Sequence, residues 1–238
     1  MSSFLSKSPR CAAISRRPTL IWPARPDPYR CLARKIFTDN AIDAIEATSR
    51  DSYWHTAEMQ VISSSVRQAS PQDAAACVAI YRPYVENTAI SWEIEVPSVG
   101  EMAARITAAR ETHEWLILER DDQIVGFAYG HTLNRLPTYQ WSTETGIYVA
   151  LDHHRAGGGR TLYTQLLRRL TERGYRRALA AITQPNEASN SFHRFFGFQD
   201  VGLYRRVEWK LDSWHDVAWM QLDLAGTADS EEAPGVII

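Results

Sequence analysis

The sequence predicts a mixed α/β (α+β) domain, with a central, mostly antiparallel sheet flanked by helices. Three observations carry this. Strand-like and helix-like segments follow one another in the order β-α-α-β-β-β-α-β-α-β-β between residues 64 and 224. Some neighbouring strands are joined by connections too short for a helical crossover, and the helical segments carry their own start or stop signals.

In "VRQASPQDAAACVAIY" a short strand from Val66 runs into a helix opened by Ser70, with Pro71 at its first position and Asp73 three residues after the cap. "PSVGEMAARITAAR" repeats the scheme. Ser98 and Glu101 form a capping box, and Met102, Ile106 and Ala109 fall on one face. "EWLILER" and "IVGFAYG" are strands joined by the polar hairpin connection "DDQ", and "STETGIYVALD" is a third. Leu162, Leu166, Leu167 and Leu170 have helical spacing in "GRTLYTQLLRRLTERG", which stops at Gly174. "RRALAAIT" is a strand, "NEASNSFHRFFGF" a short helix ended by Gly197, and "VEWKLDSWHDVAWMQLDL" supplies the last two strands around a turn.

The flanks read differently. Up to Lys35 the chain has eight basic residues and one acid, Asp27, among many serines and prolines. Residues 1–63 therefore read as an irregular, basic N-terminal extension. It is a targeting peptide, a flexible arm, or sequence upstream of a start at Met59. Residues 225–238 are polar and aperiodic, and are expected to be a disordered tail around a single domain at 64–224.

A formal net charge of -2 leaves no basic excess to suggest a nucleic-acid partner. No apolar run approaches the roughly 18 residues of a membrane span. Cys11, Cys31 and Cys77 are widely separated and lack metal-ligand spacing, so neither a disulfide framework nor a zinc site is expected. A reducing, cytoplasmic setting with no metal fits these features.

The most specific local signal is "YVALDHHRAGGGRTLYTQLL", where three glycines separate a strand from a helix. Glycine lets backbone N–H groups approach a ligand. The unpaired N–H groups and the dipole of the following helix favour negative charge, to which Arg155 and Arg160 add. An ordinary turn is the bland alternative. No G-K-[ST] follows, so this is not a Walker loop, and it lacks the setting of a dinucleotide fold.

Together with "TAISWE", "YQWSTETGIYV", "QPNEASNSFHRFFGF" and "WHDVAWMQLDL", this turn makes the span 66–224 resemble the GNAT acetyltransferase superfamily, in its phosphinothricin and methionine sulfoximine N-acetyltransferase branch. The resemblance implies a GNAT fold, acetyl-CoA as co-substrate, a small-molecule amine acceptor and a homodimer. His154, Arg155, Ala156, Gly157, Gly158 and Gly159 match the acetyl-CoA motif, with His154 where glutamine or arginine is usual. Glu208 and Asp212 stand where relatives tend to have glycine.

Residue by residue, the resemblance makes Glu144 the general base, its pKa raised by burial beside Tyr139 and Trp141. His193 assists proton transfer at the thioester sulfur, and Asn186 binds the cofactor or caps its own helix. Ile147, Tyr148 and Val149 are expected to pair with pantetheine, an N–H such as that of Val149 stabilising the thioester oxyanion. Trp92, Arg135, Tyr139 and Trp141 are the acceptor-pocket candidates. Glu144 is expected on the same side of the sheet as the glycines. The alternative is a non-catalytic acyl-CoA sensor of the same fold, against which the presence of both Glu144 and His193 weighs.

Overall fold

The computed structural model describes residues 64–224; the expectations for residues 1–63 and 225–238 lie outside them. The elements are β1 (Ser64–Gln68), α1 (Ala74–Asn87), α2 (Val99–Thr112), β2 (Trp115–Arg120), β3 (Gln123–Thr132), β4 (Ser142–Val149), α3 (Gly158–Arg173), β5 (Arg177–Gln184), α4 (Glu187–Phe195), β6 (Gln199–Lys210) and β7 (Ser213–Asp223). Their order is the expected one. Single 3-10 turns at Pro71–Asp73, Pro137–Tyr139 and Leu151–His153 are additional.

Seven strands form one sheet in the order β1-β2-β3-β4-β5-β7-β6. Every pairing is antiparallel except β4–β5. Two apolar layers cover its faces. Leu162, Leu166 and Leu170 of α3 pack on Leu116, Leu118, Ala128, Ala180 and Ile182. On the other face, α1 and α2 bring Val78, Tyr81, Met102 and Ile106 against Trp115, Ile117 and Phe127. Alternation along β2 explains its continuous apolar run, since its Leu116 and Leu118 serve one layer while Trp115 and Ile117 serve the other.

The caps behave as expected from their chemistry. Asp73 Oδ2 accepts the Ser70 N–H at 2.7 Å, and Ser98 and Glu101 exchange bonds reciprocally at 3.2 and 2.7 Å. Gly174 closes α3 with φ of 104°. The one substantial difference concerns β6, which begins at Gln199 and not near Val207. Register irregularities at Asp200/Gly202 and Tyr204/Glu208 interrupt its pairing with β7 and erase the period-two pattern by which a strand is read. Among the described residues no helix is long and apolar enough to cross a membrane, and no acidic, cysteine and histidine group could hold a metal.

Candidate active site

The site is a gap in the sheet. β4 and β5 pair only where Ser142, Thr143 and Glu144 meet Arg177, Ala178 and Leu179, although both strands continue beyond that point. Where they part, the Thr145 hydroxyl donates to the Leu179 carbonyl at 3.0 Å and bonds the Tyr163 hydroxyl of α3 at 2.7 Å. A side chain thus replaces the next backbone rung.

The antiparallel ladder decides which backbone groups face the gap. Ala150 N–H bonds Val125 O at 2.8 Å, so alternation turns Tyr148 toward β3 and directs the N–H and C=O of Ile147 and Val149 away from it. Two of the three expected cofactor-pairing residues therefore turn their N–H groups to the gap, while the Val149 carbonyl accepts from the Tyr84 hydroxyl at 2.5 Å. Tyr148 instead packs its ring edge-on against Tyr81 and Tyr84, with centroids at 4.7 and 5.2 Å.

At the end of β4 the chain turns into α3. Arg155 and Gly157 both have positive φ, 62° and 80°. Gly158 presses on the sheet: a Cβ there would lie 2.6 Å from Leu118 Cδ2. No acidic residue occupies the first turn of α3. The Arg160 guanidinium lies over the Phe195 ring of α4, 4.2 Å from its centroid. Free amides, a helix N-terminus and two arginines suit a diphosphate, and the open strand edge suits an amide-bearing arm. His154 does not join them. Its Nε2 bonds the Tyr84 hydroxyl at 2.8 Å and the Val149 carbonyl at 3.0 Å.

A cavity of about 300 Å³ occupies the gap and brings together Glu144, His193, Asn186 and Trp92. Glu144 lies directly across from His131, in line with Tyr148 opposite Phe127, so its side chain points to the α1/α2 face. His193 enters from the α3 side, its ring edge-on to Tyr163. The expectation that Glu144 and the glycines share one side of the sheet is thus corrected. Because no rung joins the strands here, the cavity passes through the sheet, and groups from both faces line it.

Glu144 has 17% of its side chain exposed, and burial pushes its pKa upward, with His131 opposing that rise. Tyr139 and Trp141 are not what surrounds it. Its cavity neighbours are Tyr81, Tyr129, His131, Glu93 and Trp92. His193 is buried and bonds Ser189 O through Nδ1 at 2.9 Å, which requires the proton on that nitrogen. Burial lowers its pKa, the bond to Ser189 partly opposing, so the neutral ring keeps a lone pair on Nε2.

Asn186 caps α4, its side chain accepting from Ser189 N at 3.1 Å, while also lining the cavity. Trp92 Nε1 donates to the Thr183 hydroxyl, which donates to Glu208 Oε2, both at 2.8 Å. Glu208 thereby fixes one wall. Arg135 and Tyr139 line a separate cavity of about 290 Å³ with Pro137 and Tyr175. Trp141 precedes β4 and is not among the residues lining the Glu144 cavity. Sequence reasoning missed His131, Tyr129, Tyr81 and Glu93. A histidine two residues after Tyr129 on one strand face was the only available signal.

Comparison with known proteins accords with this geometry. The family described as "Acetyltransferase (GNAT) domain" matches residues 66–219. Phosphinothricin N-acetyltransferase of Streptomyces coelicolor is 33% identical over 182 residues, 71% of this chain and 98% of that protein. The L-methionine sulfoximine/L-methionine sulfone acetyltransferase of Pseudomonas aeruginosa is 30% identical over 168 residues, 70% of this chain and 98% of that protein. A crystal structure of a GNAT superfamily phosphinothricin acetyltransferase from Sinorhizobium meliloti, in complex with AcCoA, aligns with a TM-score of 0.69 at 27% identity, over 73% of this chain and 95% of that one. The chain belongs to the GNAT family of acetyltransferases.

Proposed function

We propose that the protein acetylates the amino group of a small amino acid or analogue of the phosphinothricin or methionine sulfoximine type, with acetyl-CoA as donor. The observation that carries this reading is that Glu144 and His193, on opposite faces of the sheet, line one cavity where β4 and β5 separate. Acetyl-CoA supplies an acyl group activated as a thioester and a thiolate leaving group.

The chain's own residues divide the remaining work. The amides of Gly157–Gly159, with Arg155 and Arg160, hold the diphosphate, and Asn186 lies farther along the same route. Ile147 and Val149 offer backbone N–H groups to the pantetheine arm and the thioester oxygen. Glu144 takes one proton from the incoming ammonium, freeing its lone pair. As the C–N bond forms, His193 Nε2 accepts a second proton from the nitrogen and delivers it to the departing sulfur. Trp92, held by Thr183 and Glu208, walls the acceptor end. One proton per turnover is left to pass to water.

Incubation of the full chain with acetyl-CoA and L-phosphinothricin or L-methionine sulfoximine, following thiol release, tests the reading. Turnover with either is expected. Absence of turnover across a wide panel of small amines overturns it.

The same reading includes a homodimer. Val201, Leu203, Tyr204, Val207 and Trp209 of the edge strand β6 are exposed, an apolar set that a second copy would cover. Sedimentation velocity is expected to give twice the mass of one chain, and a monomer at micromolar concentration contradicts this.

A further inference from the structure

Glu144 cannot turn over unless the proton it takes is removed, and its surroundings offer few ways out. Only 17% of its side chain is exposed. The charged and titratable groups near it are Tyr81 of α1, Glu93 of the α1–α2 connection, Arg105 of α2, Tyr129 and His131 of β3, Tyr148 of β4 and His193 of α4. Glu93 is bound by both terminal nitrogens of Arg105, at 2.6 and 3.0 Å, and by the Tyr81 hydroxyl at 3.0 Å. Burial raises the pKa of Tyr81, Tyr129 and Tyr148, so each keeps its own proton near neutrality and none is a base for the proton of Glu144.

His131 differs from all of these. It is the cross-strand partner of Glu144 on the same sheet face, and its Nε2 lies 3.8 Å from Glu144 Oε1. Its Nδ1 lies 3.3 Å from Thr132 O, a contact that places the ring proton there and leaves the Nε2 lone pair toward the carboxylate. Its side chain is 47% exposed, against 17% for Glu144. It also stands between two spaces, lining both the Glu144 cavity and a neighbouring one of about 470 Å³ bounded by Arg105, His113 and Trp115.

Resting on the reading of Glu144 as the base, we propose that His131 is the residue through which the captured proton leaves. The O–H bond of protonated Glu144 breaks as an N–H bond forms at His131 Nε2. The resulting imidazolium then gives a proton to water, restoring carboxylate and neutral imidazole with no other reactant. The 3.8 Å separation closes to hydrogen-bond length by a small rotation of the half-exposed ring, as catalytic contacts often tighten once substrate is present. His131 acts through Glu144 and is in that sense a positioning residue.

The test compares the full chain with its His131→Asn and His131→Gln variants, using acetyl-CoA and L-methionine sulfoximine. The expected result is a kcat lowered about tenfold or more. KM for both substrates should be little changed, and added imidazole should restore rate in proportion to its concentration. An unchanged kcat, or a loss that imidazole does not relieve and that appears mainly in the acceptor KM, overturns the proposal. A second readout needs no turnover: ¹³C NMR of carboxyl-labelled glutamate, with Glu144 assigned by Glu144→Gln. Removing His131 should move the Glu144 titration upward, because the influence of His131 that opposes the effect of burial is lost. A titration left in place overturns the pairing even if the acceptor assignment fails, whereas an upward move with no turnover of any amine faults only the proposed function.

Discussion

Replacing Gly158 by alanine tests the glycine turn most sharply, because the three glycines meet different surroundings. The added Cβ would sit 2.6 Å from Leu118 Cδ2, and about 0.8 Å must open to reach the 3.4 Å of ordinary contact. Leu118 is 2% exposed and packed against α3, so either its methyl must repack within a filled core or the helix N-terminus must lift from the sheet. Overpacking of this kind costs about 1–3 kcal/mol. At Gly157 the added methyl group meets nothing within 4 Å, and only the left-handed φ of 80° is penalised, by about 1 kcal/mol. Gly159 meets only contacts of 3.8–3.9 Å inside the helix, where alanine gains up to about 1 kcal/mol. Urea unfolding should therefore rank stability as Gly159→Ala, wild type, Gly157→Ala, Gly158→Ala, highest first. Calorimetry should find acetyl-CoA binding weakened most by Gly158→Ala. A Gly158→Ala protein with wild-type stability and binding would refute the claim that α3 is seated on Leu118.

Glu144→Gln is expected to lower kcat by about 10²- to 10⁴-fold while leaving acetyl-CoA binding intact, as measured by thiol release and calorimetry. The same change should raise Tm at neutral pH. A carboxylate whose folded pKa is raised binds its proton more tightly when folded, so stability falls as pH climbs from the ordinary glutamate pKa through the folded one, and glutamine escapes that loss. His193→Asn should cost kcat about 10²-fold with little change in acceptor KM, as seen in steady-state kinetics. Asp73 is held down to about 2, chiefly by its paired bonds to Arg67, both 2.8 Å, against some desolvation. Its contribution is present above the ordinary value of 3.8 and is lost as pH falls toward about 2. Asp73→Asn should cost roughly 1–2 kcal/mol at neutral pH, water around the partly exposed Arg67 weakening the pair, and the mutant penalty should shrink in acid denaturation series.

Local signals in the sequence were enough for the elements. The Ser98/Glu101 box, the leucines of α3 and the stop at Gly174 each act within a turn or two of chain and survive into the fold unchanged. β6 was harder, because bulges at Asp200/Gly202 and Tyr204/Glu208 break the alternation that identifies a strand. Glu144, His193 and Asn186 were named through a family resemblance, and their meeting in one cavity depends on where two strands diverge, which no local pattern encodes. The His131–Glu144 pair depends on the register of β3 with β4. That register is fixed across the long connection from residue 133 to 141 and not by a short turn of defined type, so the pairing was illegible. Arg135 and Tyr139 lie in that same connection, which carries them to another cavity.

The measurement closest to the central claim is the pH dependence of kcat/KM for wild type, Glu144→Gln and His193→Asn on one acceptor. An acid limb lying above the usual carboxylate range is expected for wild type, kept by His193→Asn and absent from the residual rate of Glu144→Gln. A Glu144→Gln enzyme that retains the wild-type rate and the same limb would contradict the account.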